Sequence, residues 1–348
     1  MAPASPDPVG TPDPAGTAGT AGTAGTAGTA GTAGTPSRTA AEIASQPDCW
    51  RRAADSLPRH APALPRRGER IAVVGCGTSW FMAQAYAALR EGGGHGTTDA
   101  FAASEFPPGR AYDRILAICR SGTTTEVLDL LGRARTAGVP TSTVTADPAT
   151  PVAALADAVA VLDFADERSV VQTRFATSVL ALLRAHLEAE GALPAGVHPL
   201  SRAVRDAERA VAVPLSAELR DAGQFTFLGR GWTYGLALEA GLKLREAAGA
   251  WTEAYPAMEY RHGPISIAEP GRVAWVFGAP PAGLAEDITR AGALLVAGSG
   301  GTDGDLDPLA DLVRAQRLAV AVAESRGCDP DRPRHLTRSV VLGDRHRP

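Results

Sequence analysis

Short apolar segments alternate with longer amphipathic segments along most of this 348-residue chain. In the first half, four apolar runs predict strands at about residues 71–74, 115–118, 141–145 and 158–162. The segments at 80–90 and 124–137 have the spacing of helices and follow two of these strands. Strands that alternate with helices favour a parallel sheet covered by helices on both faces.

The same pattern begins again in the second half of the chain. A long helix is predicted at 234–248, and further strands are predicted at 225–228, 273–277, 293–297 and 318–322. We therefore predict an α/β fold of two similar domains, one at 38–195 and one at 215–343, that meet near residues 192–215. One or two short helices at 39–56 and a Pro- and Arg-rich linker at 57–70 precede the first strand.

The N-terminal segment differs from the rest in composition. Residues 15–35 are seven copies of Ala-Gly-Thr after a Pro-rich start. Such a segment cannot bury enough apolar surface to offset the entropy of ordering it. We predict that residues 1–37 are a disordered tail.

Charge and cysteine content exclude several classes of function. The formal net charge is −4, which provides no basic surface for nucleic acid or for a membrane. No apolar run reaches the roughly 20 residues of a transmembrane helix, and no signal peptide is apparent. The four cysteines are isolated in the sequence, as is usual in a reducing compartment. We expect a cytoplasmic protein.

Two polar turns follow the first two predicted strands of the first half. The turn at 75–79 contains Gly77, Thr78 and Ser79, and the turn at 121–125 contains Ser121, Gly122 and three threonines. Ligands bind beyond the carboxyl ends of strands in sheets of this kind. Hydroxyl donors, a glycine that admits close approach and the N-terminus of the following helix together predict a phosphate site. The alternative is that Thr123 or Thr124 only caps the helix.

The sequence 119–126 resembles the phosphate loop of sugar-isomerase (SIS) domains, whose usual pattern is Ser-x-Ser-Gly-x-Thr. The turn at 75–79 resembles the first loop of the same fold. Further segments resemble the isomerase half of glucosamine-6-phosphate synthase in the same order, namely 227–231, 238–246, 253–255, 262–264 and 331–339. The resemblance implies two SIS domains, each a flavodoxin-like sandwich of a parallel sheet between helices.

The resemblance also implies which residues bind a phosphorylated sugar. The expected set is Gly77, Thr78, Ser79, Cys119, Arg120, Ser121, Gly122, Thr123, Thr124 and Gln172. Two of them depart from the family pattern. Cys119 stands where a serine is usual and is a weaker donor, whereas Arg120 adds a cation that could pair with phosphate or with a neighbouring carboxylate.

Glu246 and Lys243 are the first catalytic candidates. They lie three residues apart on one face of the predicted helix. The alternative to a catalytic role is that they form an exposed ion pair on the surface. The resemblance makes Glu246 the base that transfers a proton between C1 and C2 of the sugar, with Lys243 as its partner. It makes His262 the group that opens the sugar ring from a neighbouring subunit. Arg338 is the fourth candidate, but it replaces a lysine of the synthase and cannot form a Schiff base.

We therefore expect an enzyme that isomerises or deaminates an amino- or N-acetylamino-hexose 6-phosphate. Deglycation of a fructosamine 6-phosphate and dehydration of N-acetylglucosamine 6-phosphate use the same base and remain alternatives. A sugar-phosphate sensor without catalysis is an alternative of another class. We expect no glutaminase domain, no cofactor, no metal site and no nucleic-acid partner, and a homodimer with a shared active site.

Overall fold

A computed structural model describes residues 36–298 and 305–343 of the chain. In the first half, five parallel strands form a sheet in the order β2-β1-β3-β4-β5. The strands are β1 Ile71–Gly75, β2 Thr98–Ala102, β3 Arg114–Ile118, β4 Thr141–Thr145 and β5 Ala158–Val161. The helices of this half are α1 Arg38–Ala44, α2 Gln46–Asp55, α3 Leu57–His60, α4 Thr78–Gly92, α5 Thr125–Thr136, α6 Pro151–Leu155 and α7 Arg174–Ala189.

A second parallel sheet of four strands follows, in the order β7-β6-β8-β9. Its strands are β6 Gln224–Gly229, β7 Trp251–Pro256, β8 Arg272–Val276 and β9 Leu294–Ala297. The helices of this half are α8 Leu200–Ala212, α9 Ala217–Asp221, α10 Thr233–Ala248, α11 Leu284–Arg290 and α12 Pro308–Ser325. The structure thus confirms an α/β fold with two parallel sheets flanked by helices.

Alternate residues of each strand face different cores. In β1, Ile71 and Val73 belong to a large core that also contains residues of the second sheet. Ala72 and Val74 point to a smaller core under α5 on the outer face of the first sheet. Both faces of each sheet are therefore covered, which explains the continuous apolar runs of the strands.

The strand order places a binding crevice between β1 and β3. The chain leaves β1 toward β2 on one side and later returns to β3 on the other side, so the connections diverge at this point. Loops that follow the two strands on either side of such a switch point flank an open crevice. The polar turns that follow β1 and β3 are these two loops.

Helix α10 of the second half packs closely on α4 of the first half at Gly235. A Cβ atom at Gly235 would lie 2.5 Å from the carbonyl oxygen of Phe81 and 2.8 Å from the backbone nitrogen of Ala85. Only glycine permits this approach, because the groups that a side chain would meet are backbone atoms. The contact brings α10 beside the loop from which α4 starts.

Most of the predicted elements are confirmed, but the strand at 318–322 is wrong. These residues lie inside α12, an 18-residue helix that begins at Pro308 and has Asp307 as its N-cap. A short apolar run cannot distinguish a buried strand from the interior of a buried helix. The linker at 57–70 contains α3 and a 3-10 turn at Ala61–Ala63.

Two strands were not predicted at all, and two other predictions are not tested. The missed strands are β2 and β7, which lie at sheet edges where the side chains are more exposed. The predicted disorder of residues 1–37 falls almost entirely outside the described residues. The domain bounds stay a prediction, although α8 occupies much of the expected junction. Within residues 36–298 and 305–343, no helix has the length and apolar character needed to cross a membrane.

We predict that Gly235→Ala destabilises the fold by about 1–3 kcal/mol, because the added methyl group forces α4 and α10 apart. Helix propensity alone predicts the opposite effect, an increase of about 1 kcal/mol in the free energy of unfolding. Gly132→Ala in α5 is the matched control, since a Cβ atom there meets nothing within 4 Å. Urea unfolding of both variants measures the two effects. If Gly235→Ala stabilises the protein as much as Gly132→Ala does, the helices do not approach as described.

Candidate functional site

A cavity of about 200 Å³ lies at the carboxyl ends of β1 and β3, and we call it the switch-point cavity. The two polar loops, the segment before α7, the end of α10 and the C-terminal segment form its walls. Ten of the fourteen predicted site residues line it, namely Gly77, Thr78, Ser79, Cys119, Arg120, Ser121, Thr124, Gln172, Glu246 and Arg338. The structure therefore brings together groups from both halves of the sequence.

The loop after β3 keeps its hydroxyl groups close to one another. Ser121 Oγ lies 3.4 Å from Thr124 Oγ1, and the Cys119 thiol lies 3.7 Å from the same oxygen. Gly122 has a φ of +66°, and a Cβ atom there would lie 1.9 Å from Thr150 Oγ1, so the tight loop requires glycine. Gly122 and Thr123 are part of the loop without lining the cavity.

Thr124 occupies the N-cap position of α5, but its side chain makes no capping hydrogen bond. The interpretation of this hydroxyl as a helix cap alone is therefore wrong. In the segment before α7, Gln172 Nε2 is buried and has no hydrogen-bond partner among the described residues. A buried donor without a partner destabilises the fold unless a ligand or water accepts its hydrogen bond. Gln172, like Thr124, therefore has a polar group suited to bind a ligand.

Lys243 connects the catalytic candidates to the first loop. Its Nζ atom lies 2.5 Å from Glu246 Oε2 and donates a hydrogen bond of 2.9 Å to Thr78 Oγ1. The Lys243 side chain is 1% exposed and that of Glu246 is 19% exposed. The alternative of a solvated surface pair is thus wrong for this lysine. The arrangement presents the Glu246 carboxylate to the cavity and holds a cation behind it.

Glu239 is a third member of this cluster that the sequence analysis missed. It is fully buried, and its carboxyl group lies 3.5 Å from Lys243 Nζ. Burial raises the pKa of Glu239 to about 8, although Lys243 opposes the shift. Burial alone would lower the pKa of Lys243, but the carboxyl groups of Glu239 and Glu246 outweigh it and raise that pKa. The sequence could have indicated Glu239, because it lies four residues before Lys243 and therefore on the same face of the helix.

Arg120 pairs with groups of the protein itself. Its guanidinium lies 3.4 Å from the carboxylate of buried Glu167 and donates a 3.0 Å hydrogen bond to the backbone oxygen of Arg338. The Arg338 guanidinium in turn donates to the Glu167 backbone oxygen and, at 2.6 Å, to the Asp166 carboxylate. Of the two partners expected for Arg120, the structure therefore favours the neighbouring carboxylate. Both arginines fasten the C-terminal segment to the first half.

The C-terminal segment also contacts the loop after β3 directly. Ser121 Oγ and Thr123 Oγ1 donate hydrogen bonds of 3.1 and 3.0 Å to Ser339 Oγ. The backbone nitrogen of Thr125, at the start of α5, donates to the Val340 oxygen at 3.2 Å. The segment thus engages several of the groups that would otherwise face an anion at this helix end.

His262 does not line the switch-point cavity of its own chain. It is exposed and follows a 3-10 turn at Glu259–Arg261, beyond strand β7. A single chain therefore leaves this candidate apart from Glu246. In the described part of the chain, no cluster of three or more His, Cys, Asp or Glu side chains could hold a metal ion.

The chain is similar to known proteins in both sequence and fold. Residues 66–189 match the SIS domain family. The chain is 29% identical over 318 residues to a glutamine–fructose-6-phosphate aminotransferase of Gloeobacter violaceus, with 79% of this chain and 52% of the relative covered. It is 32% identical over 309 residues to that of Methanothermobacter thermautotrophicus, with the same coverage. The chain spans about half the length of the curated relatives it matches.

Solved structures give a similar result. A glucosamine-6-phosphate deaminase from Thermotoga maritima is 25% identical, with a TM-score of 0.74 over 88% of this chain and 100% of that one. The C-terminal domain of a glucosamine-fructose-6-phosphate aminotransferase from Francisella tularensis shares the fold, with 20% identity and a TM-score of 0.68 over 87% of this chain and all of that one. The chain therefore contains a SIS domain and is homologous to the part of glutamine–fructose-6-phosphate aminotransferase that it spans.

Proposed function

We propose that this chain is an enzyme that moves a proton between C1 and C2 of an open-chain hexose 6-phosphate bearing an amino or N-acetylamino group. The observation that carries the proposal is that the phosphate loop and Glu246 line one cavity of about 200 Å³. A phosphate on the hydroxyl groups of Ser121 and Thr124 would anchor one end of a sugar. The other end would then extend toward Glu246.

The cluster behind Glu246 supports its role as the base. General-base catalysis needs a carboxylate within reach of the substrate proton and a group that stabilises the negative charge that develops on the sugar oxygens. Lys243 lies 2.5 Å from Glu246 and is buried, so its charge acts in a poorly solvated environment. Glu239 is fully buried at 3.5 Å from the same lysine, so Glu246 is the carboxylate of this cluster that is open to the cavity.

Ring opening would require a second copy of the chain. His262 is exposed in the single chain and lies outside the cavity, as expected for a group that acts in the site of a neighbouring subunit. We therefore propose a homodimer with a shared active site. We also propose that the second sheet is a second SIS domain, with 38–195 and 215–343 as the two domains.

The comparisons support an isomerase or deaminase type of reaction. Homologous proteins are named as aminotransferases that act on fructose 6-phosphate, and the Thermotoga maritima structure is named as a glucosamine-6-phosphate deaminase. Arg338 cannot form a Schiff base, and its guanidinium pairs with Asp166. Reactions that need no Schiff base at this position are therefore favoured, and analysis of products by NMR would distinguish isomerisation, deamination and dehydration.

We predict that Glu246→Gln lowers kcat by about 10²–10⁴-fold, because it removes the base while preserving shape. Binding of the sugar phosphate should survive, since the phosphate loop is unchanged. Deuterium exchange at C2 of the bound sugar in heavy water is the measurement. Wild-type exchange in this variant would show that another group is the base. Binding without exchange in the wild-type protein would instead indicate a sensor.

We predict that Ser121→Ala combined with Thr124→Ala weakens sugar-phosphate binding by at least about 100-fold. Hydrogen bonds to a charged group contribute about 1.5–3 kcal/mol each, and two are removed. Thr289→Ala is a suitable control, because its hydroxyl bonds only within α11. Calorimetric titration with glucosamine 6-phosphate gives both affinities. Unchanged affinity in the double variant would place the phosphate elsewhere.

A further inference from the structure

A second cavity of about 430 Å³ lies beside Glu246, and we call it the arginine cavity. It is formed by the C-terminal ends of α10 and α12 and by the segment that leads to the C-terminus. Its charged lining residues are Arg245, Arg326, Arg332, Arg334, Glu246 and Asp329. Glu246 lines both this cavity and the switch-point cavity, so the proposed base is the residue that the two cavities share.

The arginine cavity has more positive than negative charge. Four guanidinium groups face two carboxylates, and Glu246 is already paired with Lys243 at 2.5 Å. Asp329 lies 3.9 Å from Arg332 and pairs weakly with it. Within the described residues, Arg326 and Arg334 have neither a hydrogen bond nor an ion pair of their side chains. Two guanidinium groups are thus available to a ligand.

Stabilisation of helix ends explains only part of this cluster. Arg245 lies in the last turn of α10 and donates to Thr252 Oγ1 at 2.8 Å, and Arg326 is the C-cap of α12. Cations at these positions offset the negative ends of the helix dipoles. Arg334 belongs to no helix, so its charge does not offset the negative end of a helix dipole.

We propose that the arginine cavity binds a carboxylate carried by the substrate beyond its reacting carbons. The inference rests on the proposed function, which places the phosphate at the Ser121 loop and C1–C2 at Glu246. A substituent on those carbons then continues into the arginine cavity. Guanidinium groups bind carboxylates through paired hydrogen bonds. The substrate class is therefore a hexose 6-phosphate joined through nitrogen to an amino acid, which favours the deglycase alternative.

The test compares ligands that differ only in this carboxylate. The probes are the fructosamine 6-phosphates of glycine and of 4-aminobutyrate, each beside its neutral amide, with glucosamine 6-phosphate as the reference. Affinities are measured by calorimetry for the wild-type chain and for Arg326→Gln with Arg334→Gln. Arg290→Gln, an exposed arginine of α11 distant in sequence from both cavities, is the matched control.

We expect the wild-type chain to bind at least one acid about tenfold more tightly than its amide, since hydrogen bonds between two charged groups are the stronger kind. The double variant should lose this preference and keep its affinity for glucosamine 6-phosphate, and the control should keep both. The preference should also fall at high salt. Equal binding of acid and amide by the wild-type chain, or a preference that persists in the double variant, overturns the subsite.

The two proposals fail in different ways. If glucosamine 6-phosphate binds and undergoes C2 exchange while neither acid is preferred, the carboxylate subsite is wrong and the proposed function stands. If no sugar phosphate binds at all, the proposed function fails and the subsite fails with it.

Discussion

The packing of α10 on α4 is the contact on which the candidate site depends. α4 begins in the loop after β1, and α10 carries Lys243 and Glu246 from the other half of the chain. The helices approach so closely at Gly235 that a methyl group has no space there. Because of this approach, Lys243 reaches Thr78 at 2.9 Å. A wider spacing would leave the carboxylate outside the cavity that the loop at Ser121 lines.

Within that contact, two carboxyl groups of one helix have different environments. Glu239 is fully enclosed, and its pKa is raised to about 8, whereas Glu246 is partly open to the cavity. One lysine lies between them, at 3.5 Å from Glu239 and 2.5 Å from Glu246. Differences in burial can assign different roles to chemically identical groups in one site. Here they leave Glu246 as the carboxylate available to a substrate.

The local parts of this site could be predicted from the sequence. The apolar runs before each polar turn identified β1 and β3, and the parallel arrangement of those strands placed both turns at one edge of a sheet. The spacing of Lys243 and Glu246 placed them on one face of α10. Periodicity failed for α12, whose apolar interior at 318–322 resembles a strand, and for the edge strands β2 and β7.

Contacts between distant segments could not be predicted in the same way. Ser339 meets Ser121 across 218 residues of sequence, and no periodicity encodes that pairing. The same holds for Arg120, whose partner Glu167 is 47 residues away. The sequence therefore left two possible partners for Arg120, a phosphate or a neighbouring carboxylate. The resemblance to SIS domains indicated which residues share a site, but the bonds that hold the C-terminal segment appear only in three dimensions.

The position of Ser339 against the loop at Ser121 has a consequence for the order in which the protein is made. The loop at Ser121 comes first in the chain, the Glu246 helix follows it, and the segment at Arg338–Val340 comes after both. The cavity is therefore complete only when three segments that are synthesised at different times have come together. A fragment without the segment at Arg338–Val340 would keep the loop at Ser121 but lose the hydroxyl group that Ser121 and Thr123 contact.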